Sequence, residues 1–363
     1  FERLDGNDDG QLSVSERGAF PQLRQRLGET ADTNGDGVLS WAEFAHALVS
    51  SMTEAPASVS NPAPVSSGKL KPGVSVRGVV MDDSERRYRI HVPASFDSER
   101  ATPVVLIFHG GGGNPDTMVH LSGMDEKSEK EGFLAVYPYG SGVDPDEGLS
   151  FNGGGCCGYA MHNEIDDVAF VRQLLGELGS VATLDRGAVF ATGLSNGGII
   201  SYRLAAELSD QIAAIAPVGG PLMLDAIHPS RPVAVIHFHG TGDRFAPFDG
   251  GYGEGRVGRG VTDFRSVEYS IRSWVVANEC DGDPEVERLP DRIADGTRVI
   301  RKTWRNGRDG SEVVLIEIEG GGHTWPGIQP TGAAAFLGVS TEDISANDLM
   351  WEFFEKHARS PEG

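Results

Sequence analysis

AVFATGLSNGGIISYRLAAEL, residues 188–208, changes its period in mid-stretch. AVFATG (188–193) is short and almost wholly apolar, as a strand buried on both faces of a parallel sheet must be. GIISYRLAAELS (198–209) instead repeats its apolar positions at helical spacing. Between them lies Gly193-Leu194-Ser195-Asn196-Gly197, a serine flanked by glycines at the junction. A strand that turns directly into a helix brings its backbone close to neighbouring elements, and glycines make room for that approach. The stretch therefore predicts a strand, a tight turn and a helix, with Ser195 raised at the tip.

The pattern continues on both sides. VVLIFHG (104–110), FLAVYPYG (133–140), IAAIAPVGG (212–220) and VAVIHFHG (233–240) are further apolar runs rich in Val and Ile. DDVAFVRQLLGEL (166–178), SVEYSIRSWVVANE (266–279) and NDLMWEFFEKHA (347–358) have helical spacing. Alternating strand and helix predict an α/β class with right-handed crossovers and a mostly parallel, doubly wound sheet. VSVRGVV and RYRIHVP read as an antiparallel pair at one sheet edge, and TRVIRKTW with EVVLIEI as a further hairpin near the end.

G-x-S-x-G alone is a weak pattern, but three other strand ends carry matching chemistry. His109-Gly110-Gly111-Gly112-Gly113-Asn114 closes one apolar run, where backbone N–H groups of Gly111 and of Asn196 can face a developing oxyanion. His109 reads first as a buried residue that shapes this loop. Thr241-Gly242-Asp243 follows VAVIHFHG and supplies a carboxylate at a strand C-terminus; Asp249, in the next turn, is the competitor. Gly320-Gly-Gly-His323-Thr-Trp325 follows EVVLIEI and supplies an imidazole. A serine hydroxyl becomes nucleophilic when an imidazole takes its proton, and the imidazole needs a carboxylate to hold its tautomer. Ser195, Asp243 and His323 occur in the order of α/β-hydrolases. His46, His91, His120, His162, His228, His237, His239 and His357 lack this setting and read mostly as surface or packing residues.

The chain has 363 residues with 53 acids against 31 bases, a net charge of −22. Such a field repels phosphate backbones, so nucleic acid is not an expected partner. No apolar run reaches the about 20 residues of a bilayer span. The first residue is Phe1 rather than Met, which suggests an upstream segment such as a signal peptide. Of the three cysteines, Cys156 and Cys157 are adjacent and bridge each other only with strain, so Cys156 or Cys157 bonded to Cys280 is the expected pairing.

Two acidic loops precede this region. Asp5-Gly-Asn7-Asp-Asp9-Gly10-Gln11 ending at Glu16, and Asp32-Thr-Asn34-Gly-Asp36-Gly37-Val38 ending at Glu43, match the twelve-residue EF-hand loop position by position. Ca²⁺ takes six to eight oxygens, hence side chains at positions 1, 3 and 5, the carbonyls of Gln11 and Val38 at position 7, and a bidentate Glu at 12. A Ser/Pro/Ala-rich stretch over residues 51–73 reads as a linker. The expected organisation is a tandem EF-hand region at 1–50, the linker, and an α/β-hydrolase domain at 74–363.

With these motifs in view, residues 74–358 resemble the polyhydroxybutyrate depolymerase and feruloyl esterase-like group of α/β-hydrolases. The carriers are HGGGGN at 109–114, GGGCCGYA and DDVAF within 153–170, GLSNGG at 193–198, HGTGD at 239–243 and GGHTWPG at 321–327. The resemblance implies a secreted or periplasmic serine carboxylesterase without a catalytic cofactor, acting on feruloyl or acetyl esters of plant polysaccharide, or alternatively on a polyester. It further implies a cysteine loop beside the site mouth with one cysteine tied to Cys280, and substrate contacts from Trp325 and His109. A different class, a calcium-dependent binding protein with an inert hydrolase domain, has no need of an intact Ser, Asp and His set. The oligomeric state is not legible.

Overall fold

The structure is a computed structural model and describes residues 11–12, 39–40, 68–81, 85–254, 262–330 and 332–359. Two short strands, β1 (Gln11–Leu12) and β2 (Leu39–Ser40), pair antiparallel with Leu12 opposite Leu39.

The main unit begins with β3 (Gly73–Val80), β4 (Glu85–Val92) and β5 (Thr102–Phe108). Then follow α1 (Pro115–Ser122), α2 (Met124–Glu131), β6 (Leu134–Pro138), α3 (Gly158–His162), α4 (Asp167–Val181), β7 (Leu184–Leu194) and α5 (Asn196–Glu207). The chain continues through β8 (Ala214–Val218), β9 (Ala234–Gly240), the small pair β10 (Gly251–Tyr252) and β11 (Asp263–Phe264), and α6 (Val267–Ala277). It ends with β12 (Glu285–Arg288), β13 (Arg298–Trp304), β14 (Val313–Glu319) and α7 (Ala346–Lys356).

Ten strands form one sheet in the order β12-β13-β14-β9-β8-β7-β5-β6-β4-β3. From β6 to β14 neighbouring strands run parallel, and antiparallel pairs close both edges. This is the expected α/β-hydrolase architecture. The hairpin of β13 and β14 forms as read, and β14 also pairs parallel with β9, which carries its C-terminal loop to the middle of the sheet.

Strand β5 shows why the runs are apolar throughout. Val104, Leu106 and Phe108 pack on one face with α4, α5 and α6, while Val105 and Ile107 pack on the other with α1, α2 and α7. Alternate side chains leave opposite faces, so a strand covered on both sides favours apolar residues at every position. Helix α1, absent from the sequence reading, still had its signals: Asn114 caps it reciprocally with Thr117, and Pro115 stands at its first turn. Edge strand β12 is exposed throughout and lacks an apolar pattern.

One boundary differs from expectation. Leu70, assigned to the linker, is buried in the main core and its N–H reaches the Val181 carbonyl at 3.4 Å, so the main unit begins before residue 74. Apart from Gln11–Leu12 and Leu39–Ser40, the assigned loops at 1–50 and most of the linker lie outside the described residues.

The pairing of Cys280 is also corrected: Cys156 and Cys157 are bonded to each other, and Cys280 remains a thiol. Its neighbours are Gly307 and Val313, beside the N-terminal ends of the parallel strands, and burial pushes its pKa up to about 11. The bonded pair packs on Ile199, Met223, Ala246 and Phe264 at the opposite end. Strands of this length separate the two ends by roughly 15–20 Å, beyond the reach of a disulfide.

Glu312, buried just before β14, accepts from Lys356 Nζ at 2.6 Å and from His357 Nε2 at 3.1 Å, fastening the end of α7. Burial alone would raise its pKa, but the hydrogen bonds from His357 and Lys356 outweigh it and hold the carboxyl down at about 2. A depressed carboxyl pKa contributes stability above the unfolded value and loses it as pH falls toward the folded one. Glu312→Gln is therefore expected to lower the thermal midpoint at pH 7. The gap to wild type should narrow as pH drops from about 4.5 toward 2, followed by circular dichroism.

Candidate active site

Ser195 stands between β7 and α5 with φ 59° and ψ −120°, a left-side conformation that a non-glycine residue adopts only under constraint. The constraint is backbone packing. A Cβ at Gly197 would lie 2.1 Å from the Phe108 carbonyl oxygen, and one at Gly193 2.5 Å from the same atom. Both glycines are required because β5 passes directly behind the turn. Ser195 N–H donates to the Val218 carbonyl at 2.8 Å, and its own carbonyl accepts from Ile199 N–H at 3.0 Å, so the turn is fixed from both sides.

Asp243 and His323 meet as read. The loops after β9 and β14 are laced together: Thr241 N–H donates to Ile318, Gly242 N–H to Gly321, and Gly320 N–H to the Thr241 hydroxyl. His323 Nδ1 then lies 2.6 Å from Asp243 Oδ2, with both side chains buried. Asp243 Oδ1 accepts from the N–H groups of Phe245 at 2.8 Å and Ala246 at 2.9 Å. Burial by itself would raise the Asp243 carboxyl, but His323 and the hydrogen bonds from His239 and His323 outweigh it and hold it well below the usual range. With Asp243 ionised, His323 Nδ1 carries the proton donated to it, which leaves Nε2 as the ring's acceptor.

Gly219 joins this pair to the serine. A Cβ there would lie 3.1 Å from His323 Nδ1 and 3.4 Å from Asp243 Oδ2, while the preceding residue, Val218, binds the Ser195 N–H. Ser195, Asp243 and His323 thus converge at the C-terminal edge of the sheet. The competing Asp249 is exposed in a turn.

The glycine loop at 110–113 folds over the same edge. Gly112 N–H donates to Leu149 and Gly113 N–H to Gly110, which fixes the second half of the loop. A Cβ at Gly110 would be 3.6 Å from Ser195 Cβ, which places the loop against the turn. Asn196 opens α5, whose first backbone N–H groups have no partner within the helix.

Both residues expected to contact substrate are buried, and His109 takes its first reading as a residue that shapes the loop. His109 is buried with both ring nitrogens engaged: Nε2 accepts from Gly140 N–H at 3.1 Å and Nδ1 donates to Gly110 at 2.8 Å. Burial lowers its pKa to about 4, keeping it neutral, and it fastens the glycine loop. Trp325 lies in the core formed with α7, and its Nε1 donates to Asn347 at 2.8 Å, so it packs rather than walls a pocket.

Two polar groups beside the serine escaped sequence reading. The Asn196 side chain forms a reciprocal pair with Phe151, accepting from its N–H at 2.7 Å and donating to its carbonyl at 2.9 Å. Asp167, also buried, accepts from Asn152 N–H at 2.7 Å and from Arg86 at 2.8 Å. Together they pin residues 151–152, which lead to the bonded cysteines, against the turn. Asn-Gly after a serine and the Asp-Asp pair before an apolar helix were visible, but their partners are distant in sequence.

Among the described residues no group of three or more His, Cys, Asp or Glu side chains could hold a metal ion. Of the calcium positions only Gln11 is described, within β1. Asp5, Asn7, Asp9, Glu16, Asp32, Asn34, Asp36, Val38 and Glu43 lie outside the described residues.

Comparison with known proteins adds the following. The EF hand family matches residues 29–49. Putative esterase NocK of Nocardia uniformis subsp. tsuyamanensis is 30% identical over 298 residues, covering 77% of this chain and 82% of that one. Feruloyl esterase B of Piromyces equi is 27% identical, covering 66% of this chain and 42% of that protein. Bifunctional acetylxylan esterase/xylanase XynS20E of Neocallimastix patriciarum is 24% identical, covering 65% and 31%. The chain thus spans most of the first relative and less than half of each of the other two.

Asn196→Ala keeps the backbone N–H at the turn but leaves the Phe151 N–H unpaired in a buried position, while the Phe151 carbonyl keeps only the Cys157 N–H at 3.3 Å. The expected cost is about 1–3 kcal/mol of stability, read as a lower urea midpoint. An unchanged midpoint would mean that the pair does not hold the loop.

Proposed function

The chain belongs to the feruloyl esterase-like family of α/β-hydrolases that includes the Nocardia protein, and from that premise we propose that it is a serine carboxylesterase working through an acyl-enzyme. The observation that carries this reading is the Asp243–His323 pair brought to the strained Ser195 through Val218 and Gly219. A binding protein has no use for a buried carboxylate–imidazole pair beside such a serine.

In this reading Ser195 Oγ attacks the ester carbonyl carbon while His323 Nε2 takes its proton, and Asp243 stabilises the imidazolium. The N–H groups of Gly111 and Asn196 face the oxyanion. The imidazolium returns the proton to the leaving alkoxide, and a water activated by the same nitrogen then releases the acid. No cofactor enters these steps.

Names of the relatives favour a feruloyl or acetyl ester of plant polysaccharide as substrate. The bonded cysteine pair suits an oxidising compartment outside the cytosol, and no described helix is long and apolar enough to cross a membrane.

Calcium is the ion proposed for the two N-terminal loops. Its donor set is all oxygen, and Leu12 and Leu39, which pair across β1 and β2, are the eighth residues of the two loops. Asp5, Asn7, Asp9, Gln11 and Glu16 would hold one ion, and Asp32, Asn34, Asp36, Val38 and Glu43 the other. Bound calcium neutralises these carboxylates and supplies folding energy to its own region.

Ser195→Ala is expected to abolish hydrolysis of p-nitrophenyl acetate with folding intact, and a fluorophosphonate probe should label Ser195 in the wild type. Near-wild-type turnover in the variant would refute the assignment. A panel of methyl ferulate, acetylated xylan and polyhydroxybutyrate film separates the substrate classes: ferulate or acetate release supports the reading, and monomer release from film alone overturns it in favour of a polyester.

EDTA is expected to leave turnover of a small soluble ester within about twofold, and a chain starting at Gly68, which keeps Leu70, should retain it. Loss on chelation with recovery on added Ca²⁺ would require the loops to act on the catalytic unit.

A further inference from the structure

Behind Asp243, on the side away from His323, runs a buried chain of side chains that the reaction scheme does not use. Tyr202 Oη on α5 lies 3.0 Å from His237 Nδ1. His237 Nε2 lies 2.9 Å from His239 Nδ1, its neighbour on the same face of β9. His239 Nε2 lies 2.7 Å from the Ala246 carbonyl and 3.3 Å from Asp243 Oδ2. All three side chains are essentially without solvent contact.

The hydrogen positions follow from one end. A carbonyl oxygen only accepts, so His239 Nε2 must carry a hydrogen. In a neutral ring its Nδ1 is then an acceptor and takes a hydrogen from His237 Nε2. The His237 Nδ1 is left to accept from the Tyr202 hydroxyl. Burial, then the neighbouring His239, drives the His237 pKa well down, and burial raises that of Tyr202, so both are neutral. Every donor in the chain points toward Asp243, and aligned hydrogen bonds reinforce one another.

We propose that His239, held in one tautomer by His237 and Tyr202, is a positioning residue for Asp243. Its shared Nε2–H ties the carboxylate to the Ala246 turn and presents Oδ2 to His323. The role rests on the serine esterase reading above. Titratable groups facing the chain are Asp243 and His323 from the loops after β9 and β14, His237 from β9 and Tyr202 from α5. Phe248 and Trp274 supply apolar walls.

The test is the pH profile of kcat/KM for p-nitrophenyl acetate in the full chain, with thermal midpoints measured in parallel. His239→Leu removes the donor and leaves the carboxylate charge less dispersed, which favours the protonated form of His323. Expected are a loss in kcat of about tenfold, KM within twofold, and an acidic limb raised by roughly half a pH unit. His239→Gln, whose amide N–H can reach the same oxygens, should recover most of kcat and the wild-type limb. A His239→Leu profile superimposable on wild type overturns the proposal, as does a limb that Gln fails to restore. Should the Leu variant not fold, Tyr202→Phe decides: a limb moved in the same direction supports the chain, and an unmoved one overturns it. Ser195→Ala in the same assay separates the two failures. An active Ser195→Ala sinks the esterase reading, whereas an inactive one beside an unmoved His239→Leu profile sinks only the positioning role.

Discussion

Close approach of β5 to the turn after β7 is the constraint on which the site depends. The Phe108 carbonyl occupies the space where side chains of Gly193 and Gly197 would stand, so the turn cannot relax toward an ordinary helix start. Ser195 is held at positive φ as a result, and its hydrogen bond to Val218 ties the strained residue to the next strand. Strain of this kind persists only where the surroundings over-determine it. Here they do so with main-chain atoms, which no side-chain rearrangement can move.

The same edge of the sheet holds several buried polar side chains through hydrogen bonds. Asp243 receives two backbone N–H groups on one oxygen and two imidazoles on the other. His109 fastens the glycine loop through both nitrogens, and Asn196 does the same for residue 151. An unpaired polar group in such an interior is costly, whereas a fully paired network rigidifies its surroundings. These hydrogen bonds fasten loops that contain little regular structure.

Charge and composition bear on a different level. A net charge of −22 sets which partners are repelled and leaves the fold unaffected. Leu70 shows that the catalytic unit claims the end of the Ser/Pro/Ala-rich stretch, because one buried apolar side chain there fills the main core.

Much was legible in the chain itself. Continuous apolar runs marked a parallel sheet because strands covered on both faces are mostly apolar, and glycines beside Ser195 marked the turn because only a missing Cβ fits there. The meeting of Asp243 with His323 was expected from the two strand-end loops, each of which is a local pattern. Tertiary structure decided the rest. It bonded Cys156 to Cys157 because Cys280 stands at the other end of the strands. It put Trp325 in the core, gave His109 its partners Gly110 and Gly140, and aligned Tyr202, His237 and His239 behind Asp243. Those outcomes depend on which face or end of the sheet a side chain reaches and what meets it there, a relation between distant segments that no local spacing encodes.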